Sequence, residues 1–147
     1  LESQVKDWFK PSAYGLILLM KKGYPCIFYG DYYGVKGKKS PHRKVLDMLL
    51  RARKEYAYGE EVDYFDHPNT IGFVRLGDSG HADSGLAVVI SNGEDGEKTM
   101  SVGENRKGEV WHEITGSVKD TVTIDEEGKG RFLVKGGKLA VWVKVKA

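Results

Sequence analysis

Asp31 stands out among the acidic residues because of its place in the chain. It follows a continuous apolar run, Cys26–Tyr29, which is typical of a strand buried on both faces of a parallel sheet. In α/β folds, the residues that bind and react lie just beyond the carboxyl ends of such strands. Asp31 therefore has the position of an acid at the rim of an active site, or of a carboxylate that supports one. An Asx-type turn cap accounts for the same residue, so both interpretations stay open here.

The tyrosines next to Asp31 offer a second kind of chemistry. Tyr29, Tyr32 and Tyr33 carry amphipathic rings that can stack on a sugar or a base. Packing within the fold explains the same rings equally well. The lysine-rich loop that follows, 36–39, is typical of a solvated loop, with an anion or nucleic-acid contact as the alternative.

No other pattern in the sequence points to a reaction. The histidines are far apart and lack the spacing of metal ligands; they stand at positions 42, 67, 81 and 112. The acids within 94–97 do not alternate as a calcium loop requires. The sequence also lacks a phosphate-binding loop, a dinucleotide fingerprint and a nucleophilic triad pattern.

Composition narrows the class of protein. The chain has 147 residues, of which 40% are hydrophobic and 30% charged, as in ordinary globular proteins. A net charge of +2 is too small to indicate a nucleic-acid or membrane partner, and no apolar run approaches the roughly 20 residues of a membrane span.

The single cysteine, Cys26, is expected in the buried strand, which suits a reducing compartment. No signal peptide is visible, and we expect Leu1 to be a cut end because the chain begins in a helical pattern.

Two helices are predicted around the Cys26–Tyr29 run. Leu1–Lys22 has apolar residues at steps of three and four, with Ser3 as a plausible N-cap, and Pro11 is expected to kink or split it. A second helix is expected to begin at Ser40–Pro41 and to end near Gly59. Its predicted buried face comprises Val45, Met48, Leu49, Ala52 and Tyr56.

From Glu60 onward the apolar period changes to two, which indicates β-structure. Turn signals such as Asn92-Gly93 and Gly136-Gly137 separate the apolar segments. Short strands at this spacing predict an antiparallel sandwich or barrel. The eight predicted strands are 62–65, 70–76, 86–91, 98–102, 110–114, 121–124, 131–134 and 139–145.

The order of these elements predicts two units. Residues 1–59 form a helix–strand–helix, which is the repeating unit of an α/β barrel or an open parallel sheet. One such strand cannot make a sheet by itself, so we expect the rest of that sheet to lie outside this sequence. Residues 60–147 form an all-β sandwich. The residues alone therefore predict the end of an α/β domain followed by a sandwich.

Six short motifs, taken in order, resemble the C-terminal part of bacterial α-amylases. The resemblance covers nearly the whole chain, and the ordered set is far more specific than any single motif. It implies the last helix–strand–helix of a catalytic (β/α)₈ barrel in 1–59 and a Greek-key sandwich in 60–147. The motifs are Asp7–Pro11, Gly23–Pro25, Phe28–Gly34, Ala52–Gly59, Asp63–His67 and Val134–Gly137.

The resemblance implies a retaining glycoside hydrolase that cleaves internal α-1,4-glucosidic bonds in starch, glycogen or maltodextrins. Such enzymes use two carboxylates about 5–5.5 Å apart, and by the resemblance these precede Leu1. No catalytic residue is then expected in this chain, which should be inactive alone. Tyr29 and Asp31 would lie at the rim of the active site. The implied partners are the α-glucan, met through the missing barrel, and that barrel itself, with no nucleic acid and no membrane.

The resemblance also bears on calcium and on location. Three segments are most similar to the intracellular branch, which implies a cytoplasmic protein, with secretion as the alternative. They are Asp66–Asn69, Ser91–Gly93, and Gly96–Thr99 together with Gly103–Asn105. Secreted relatives hold calcium near the positions of Pro68, Asn69 and Asn92, using acids where the two asparagines stand. Because calcium affinity depends on ligand charge, we expect calcium only elsewhere in the whole protein.

A binding or purely structural module is the alternative to an enzyme fragment. In the first case the sandwich would bind glucan by itself, with Trp111 and Trp142 as stacking platforms. Trp142 falls in the middle of a predicted strand, where packing against the barrel is the simpler expectation. In the second case the sandwich only shields the neighbouring helices.

Overall fold

A computed structural model describes residues 5–146. A 3₁₀ turn at Asp7–Phe9 precedes helices α1 (Lys10–Leu19), α2 (Tyr29–Tyr33) and α3 (Arg43–Glu55), and a second 3₁₀ turn lies at Glu104–Arg106. The strands are β1 (Glu61–Tyr64), β2 (Thr70–Arg75), β3 (Leu86–Ser91), β4 (Gly96–Ser101), β5 (Val110–Glu113), β6 (Thr121–Thr123), β7 (Lys129–Val134) and β8 (Leu139–Lys144). All eight predicted strands are therefore confirmed, with small shifts at their ends.

The strands form two antiparallel sheets. Six of them make one sheet in the order β1-β2-β3-β8-β5-β6, and β4 pairs with β7 in the second. Strands β3 and β8 occupy the centre of the larger sheet, where Val88 pairs with Val141 and Ala87 with Trp142. The predicted sandwich is thus present, and its central strands are buried on both faces.

Each face of the large sheet covers a different apolar cluster. Phe73, Val88 and Val141 point toward α1 and α3, where they share a core with Leu18 and Leu46. On the opposite face, Val74, Val89 and Trp142 share a second cluster with residues of β4 and β7, among them Met100 and Phe132. The described residues consequently form three layers, which are the helices, the large sheet and the β4–β7 pair.

Trp111 and Trp142 lie inside this second cluster and are 0% exposed. Both rings pack on Phe132, with ring centroids 5.9 Å apart in each pair. The prediction that these tryptophans form sugar-stacking platforms is therefore wrong. Trp142 also does not pack toward the helices, because side chains alternate along a strand. Its neighbours Val141 and Val143 take the helix-facing side instead.

The strand predicted at Cys26–Tyr29 does not form in the described residues. Residues 24–28 have no regular structure, and Tyr29 already belongs to α2. Cys26, which was predicted to be buried, is exposed. A strand buried on both faces needs neighbours that satisfy its backbone hydrogen bonds, and no other strand of residues 5–146 lies beside it. The α/β unit predicted for 1–59 is thus represented here by its helices alone.

The predicted helices are present with different bounds. Pro11 is the second residue of α1, where its missing N–H costs nothing, so it separates the 3₁₀ turn from the helix. Ser3 lies outside the described residues. Helix α3 begins at Arg43 instead of Ser40–Pro41. Ser40 nevertheless supplies a local cap, since its Oγ accepts a hydrogen bond from the backbone N–H of His42 at 3.1 Å.

The buried face of α3 also differs slightly from the predicted one. Leu49, Ala52 and Tyr56 are buried as predicted, and so is Leu46, which the pattern did not include. Val45 and Met48 are half-buried. Gly59 lies beyond the end of the helix with a φ of +81°, and a side chain there would overlap the carbonyl of Gly77.

Two arginines donate hydrogen bonds to the end of α1, one from the neighbouring helix and one from the sheet. Arg53 of α3 donates to the carbonyl of Leu18 at 2.6 Å, and Arg75 of β2 donates to the carbonyl of Leu19 at 3.0 Å. These carbonyls belong to the last turn of α1, which has no intrahelical donors for them. The positive guanidinium charges also interact favourably with the negative end of the helix dipole. Within residues 5–146, none of the helices has the length and apolar character that crossing a membrane requires.

Glu113, the last residue of β5, has a buried carboxylate that accepts hydrogen bonds from backbone N–H groups. Its Oε2 accepts the backbone N–H of Thr115 at 2.9 Å and that of Val141 at 2.8 Å. Its Oε1 accepts the backbone N–H of Ser117 at 3.0 Å. One side chain therefore satisfies three backbone donors from two segments that are distant in sequence.

We expect Glu113→Ala to lower the free energy of unfolding by roughly 2–4 kcal/mol. The reason is that buried backbone donors without partners each cost about 1–3 kcal/mol. Urea titration followed by far-UV circular dichroism measures the change. Glu126→Ala is the matched control, because that carboxylate is exposed and its ion pair with Lys107 is long, at 3.5 Å. Equal stability of the two variants would contradict the role given to Glu113.

Candidate functional site

Asp31 of α2 lies at the centre of a polar cluster that it forms with two side chains of α1. Its Oδ1 is 2.8 Å from the Nζ of Lys10, and its Oδ2 accepts the hydroxyl of Tyr14 at 2.6 Å. Lys10 and Tyr14 are four residues apart, so the helix presents them on one face. Both oxygens of the carboxylate thus have a donor from the same helix.

The backbone around Asp31 is also fixed to α1. Its amide donates to the carbonyl of Phe28 at 3.0 Å, and the amide of Phe28 donates to the hydroxyl of Tyr14 at 3.2 Å. Ser40 donates its hydroxyl to the carbonyl of Asp31. Tyr14 therefore bridges the side chain of Asp31 and the start of α2, which holds the carboxylate in one orientation.

These contacts set the protonation states. Burial opposes ionisation of Asp31, but the hydrogen bonds from Lys10 and Tyr14 and the charge of Lys10 outweigh it and lower the pKa of Asp31. The hydrogen bond to Asp31 raises the pKa of Lys10. Burial, followed by the hydrogen bond to Asp31, raises the pKa of Tyr14. At neutral pH the cluster holds a carboxylate, an ammonium and a neutral phenol, so Asp31 has no proton to donate as a general acid.

A cavity of about 490 Å³ opens beside this cluster. Its polar wall consists of Lys10, Tyr14 and Asp31, and its apolar wall includes Ile17 and Phe28. Ile17 and Phe28 are exposed in the structure, so this side of the helical layer presents an apolar surface with one charged cluster. Such a surface is typical of a site that another part of a protein covers.

Tyr29, the second predicted rim residue, is not part of the cavity wall. It is exposed, and its ring lies 4.6 Å from the ring of Tyr33. Arg43 covers Tyr32, with the guanidinium carbon 4.0 Å from the ring centroid. The structure therefore brings the tyrosines and Arg43 together in an aromatic patch next to Asp31.

The predicted metal ligands meet at the surface of the sandwich. The backbone N–H of Asn92 donates to the backbone carbonyl of Asn69 at 3.1 Å. Pro68, Asn69 and Asn92 are all exposed. Within residues 5–146, no group of three or more His, Cys, Asp or Glu could hold a metal ion. Calcium sites in proteins combine carbonyl oxygens with carboxylates, and these three residues supply neutral oxygens alone.

Lys10 and Tyr14 are the site residues that the sequence did not reveal. Their four-residue spacing on a predicted helix places them on one face, and that signal was available. Their pairing with Asp31 spans 21 and 17 residues, however, and no local pattern specifies a contact at that distance.

No protein-family model matches the chain. Among curated proteins, the chain is similar to glucan 1,4-α-maltohexaosidase of Bacillus sp. strain 707, with 50% identity over 97% of this chain. It is 49% identical to an α-amylase of Bacillus licheniformis over 98% of this chain. It is 41% identical to the cytoplasmic α-amylase of Escherichia coli K12 over 97% of this chain. The chain spans only 28%, 29% and 31% of the lengths of these relatives.

Solved structures share the fold at low sequence identity. An α-amylase from Malbranchea cinnamomea has a TM-score of 0.69 at 12% identity, over 94% of this chain and 33% of that protein. A structure described as AmyP E221Q in complex with maltotriose has a TM-score of 0.65 at 9% identity, over 92% of this chain and 34% of that protein. These matches support the observed arrangement of helices and sandwich.

We expect Asp31→Asn to destabilise the chain by about 1–2 kcal/mol at neutral pH, because it removes a charge-assisted hydrogen bond to Lys10. The pKa of Asp31 is lowered by folding, so its contribution is present above the unfolded pKa, about 3.9, and is lost as pH falls through the folded value. Thermal unfolding of both proteins between acidic and neutral pH measures this difference. A difference that stays constant into the acid range would contradict the assignment. Asp120→Asn, at an exposed position, is the control.

Proposed function

Because this chain is a C-terminal part of a protein of the α-amylase family, we propose that the whole protein hydrolyses internal α-1,4-glucosidic bonds of starch, glycogen or maltodextrins. The observation that supports this most directly is the 41–50% identity to such proteins over nearly the full chain. The reaction would proceed with retention of anomeric configuration through two carboxylates. Both carboxylates would be supplied by parts of the protein outside this chain.

Within that protein, residues 1–59 would supply the last helix–strand–helix of the catalytic barrel. Residues 60–147 would form the Greek-key C-terminal domain. The exposed apolar residues of the first segment support this division, since Ile17, Tyr24 and Phe28 lack cover here. The apolar run Cys26–Tyr29 would become a strand once barrel strands lie on both sides of it. The change is reasonable because its sequence already favours two-sided burial.

Asp31 would then act at the rim of the active site as a positioning residue. Its low pKa and its two donors keep it charged and oriented, which suits fixing a loop or a substrate hydroxyl. The same properties make it unsuitable for carrying a proton between substrate and water. Tyr29, with its exposed ring, would offer a surface for stacking on a glucose unit.

The test compares this chain alone with the full gene product that includes the upstream sequence. We expect the full protein to release α-anomeric oligosaccharides from soluble starch, as followed by reducing-end assay and proton NMR. The 147-residue chain alone is expected to show no hydrolysis, because it contains neither catalytic carboxylate. A correctly folded full protein that leaves α-glucan intact would overturn the proposed function. Hydrolysis by the chain alone would overturn the location of the catalytic residues.

Calcium is proposed to bind weakly or not at all at Pro68, Asn69 and Asn92. We expect the thermal unfolding temperature of the chain to stay unchanged on adding millimolar calcium, since a ligand stabilises only what it binds. The double variant Asn69→Asp/Asn92→Asp provides the matched comparison. It places two carboxylates on segments joined by a 3.1 Å hydrogen bond, so calcium is expected to stabilise it measurably. Calcium stabilisation of the unsubstituted chain would contradict the proposal.

A cytoplasmic location remains a prediction. One relative is named a cytoplasmic α-amylase and is 41% identical, which supports it. The Bacillus relatives, at 49% and 50% identity, are more similar to this chain. The local features on which the prediction depends are the segments 66–69, 91–93, 96–99 and 103–105.

A further inference from the structure

A cavity of about 390 Å³ lies where the ends of α1 and α3 meet β2. Its volume is within the range of about 300–1,000 Å³ that is usual for small-molecule sites. Four cations line it together with a few apolar residues, and within residues 5–146 no carboxylate does so. The cations are Lys21, Arg53, Lys54 and Arg75, and the apolar residues include Leu50 and Ala57. We call this space the basic cavity.

Arg75 is the buried cation of the basic cavity and is only 7% exposed. Its Nε donates to the carbonyl of Gly59 at 3.1 Å, and its Nη1 donates to the carbonyl of Leu19 at 3.0 Å. A guanidinium group has five N–H donors, so three of them take no part in these two bonds. Because buried donors normally have partners, the remaining ones favour a ligand in the cavity.

Arg53 brings a second guanidinium to the same place. Its Nη1 donates to the carbonyl of Leu18 at 2.6 Å, which is the neighbour of the carbonyl that Arg75 binds. Burial lowers the pKa of Arg75; the charge of Glu61 opposes this change, and the charge of Arg53 adds to it. An anion beside the two arginines would offset both the burial of one charge and the repulsion between the two.

Most of the positive charge in the basic cavity is not neutralised by acids. Lys21 pairs with Glu60 at 2.6 Å. Lys54 is exposed, and Glu55 beside it pairs instead with Lys146 at 3.7 Å. Three of the four lining cations therefore have no carboxylate partner within residues 5–146.

The helix ends reduce this charge without cancelling it. Both α1 and α3 end at the cavity, and the C-terminal end of a helix carries the equivalent of roughly −0.5 elementary charge. With both ends counted, the three unpaired cations still leave about two positive charges. The charge of the cavity therefore matches a dianion better than a monoanion.

The chemistry of the donors favours phosphate among the dianions. A guanidinium presents pairs of N–H groups that match two oxygens of one phosphate group, and a phosphate monoester carries a charge of about −1.5 to −2 at neutral pH. Since a water molecule takes up about 30 Å³, a phosphate group fills only part of the cavity. The apolar wall leaves room for a small organic group attached to it.

We propose that the basic cavity binds a phosphate dianion through Arg53, Lys54 and Arg75, either as free phosphate or as the phosphate group of a small ester. The ligand would bridge α1, α3 and β2, and so would stabilise the contact between the helices and the large sheet. None of the residues that line the basic cavity lines the cavity beside Asp31. Phosphate binding is therefore independent of the proposed hydrolysis.

The test measures the thermal unfolding temperature of the 147-residue chain with about 10 mM inorganic phosphate, glucose 6-phosphate or sodium acetate. Sodium chloride at equal ionic strength is the reference, because salt screens charges. We expect both phosphate compounds to raise the unfolding temperature by about 2–4 °C over chloride, with saturable binding in isothermal calorimetry. Equal affinities would assign the site to free phosphate, and tighter binding of glucose 6-phosphate would assign it to an ester.

Two variants locate the binding site. Lys54→Gln removes one cation at an exposed position and is expected to weaken phosphate binding about fivefold. Lys44→Gln is the matched control, since Lys44 is exposed on the same helix and lies outside the basic cavity. Arg75→Lys keeps the charge but loses the paired donors, so we expect about tenfold weaker binding. Its folding is checked by circular dichroism because Arg75 also pairs with the end of α1.

Three results would overturn the site. The first is a thermal unfolding temperature in phosphate no higher than in chloride. The second is acetate that binds as tightly as phosphate, because the site would then recognise any anion. The third is equal phosphate affinity in the Lys54→Gln and Lys44→Gln variants.

Discussion

The two-sided burial of the central strands β3 and β8 is the constraint on which the rest of the structure depends. Their backbones are paired, and their side chains alternate between two apolar clusters. Each face therefore requires its own cover, which the helices provide on one side and the β4–β7 pair on the other. A shift of one residue in register would exchange the faces of either strand, so packing on both sides specifies the pairing strongly.

Charged side chains stabilise the ends of several helices and strands by pairing with backbone groups. Arg53 and Arg75 pair with carbonyls at the end of α1, and Glu113 pairs with amides of the 115–117 turn and of β8. Arg53 joins α3 to α1, Arg75 of β2 joins the sheet to α1, and Glu113 joins β5 to β8. Arg75 therefore adds a directional contact to the apolar burial that holds the helical layer on the large sheet.

Helix α1, together with the 3₁₀ turn before it, separates two cavities. Lys10 and Tyr14 hold Asp31 beside one of them, whereas Trp8 and Ser12 line a cavity of about 590 Å³ on the other side of the helix. Two residues along a helix correspond to a rotation of about 200°, so these pairs point in nearly opposite directions. One short amphipathic segment therefore presents a charged cluster toward the uncovered surface and an aromatic one toward the sandwich.

The sequence by itself determined the eight strands, the approximate helices and the family, because alternation, turn residues and ordered motifs are local signals. Only the tertiary structure decided which face Trp142 occupies, which residues hold Asp31, and that Trp8 is the exposed tryptophan. It also left Cys26–Tyr29 without strand structure, although its composition favours a strand. The physical reason is the same in each case: hydrogen bonding across a sheet and burial between layers depend on partners far away in the chain. A local pattern indicates which secondary structure a segment favours, and the segments that pack around it determine whether that structure forms.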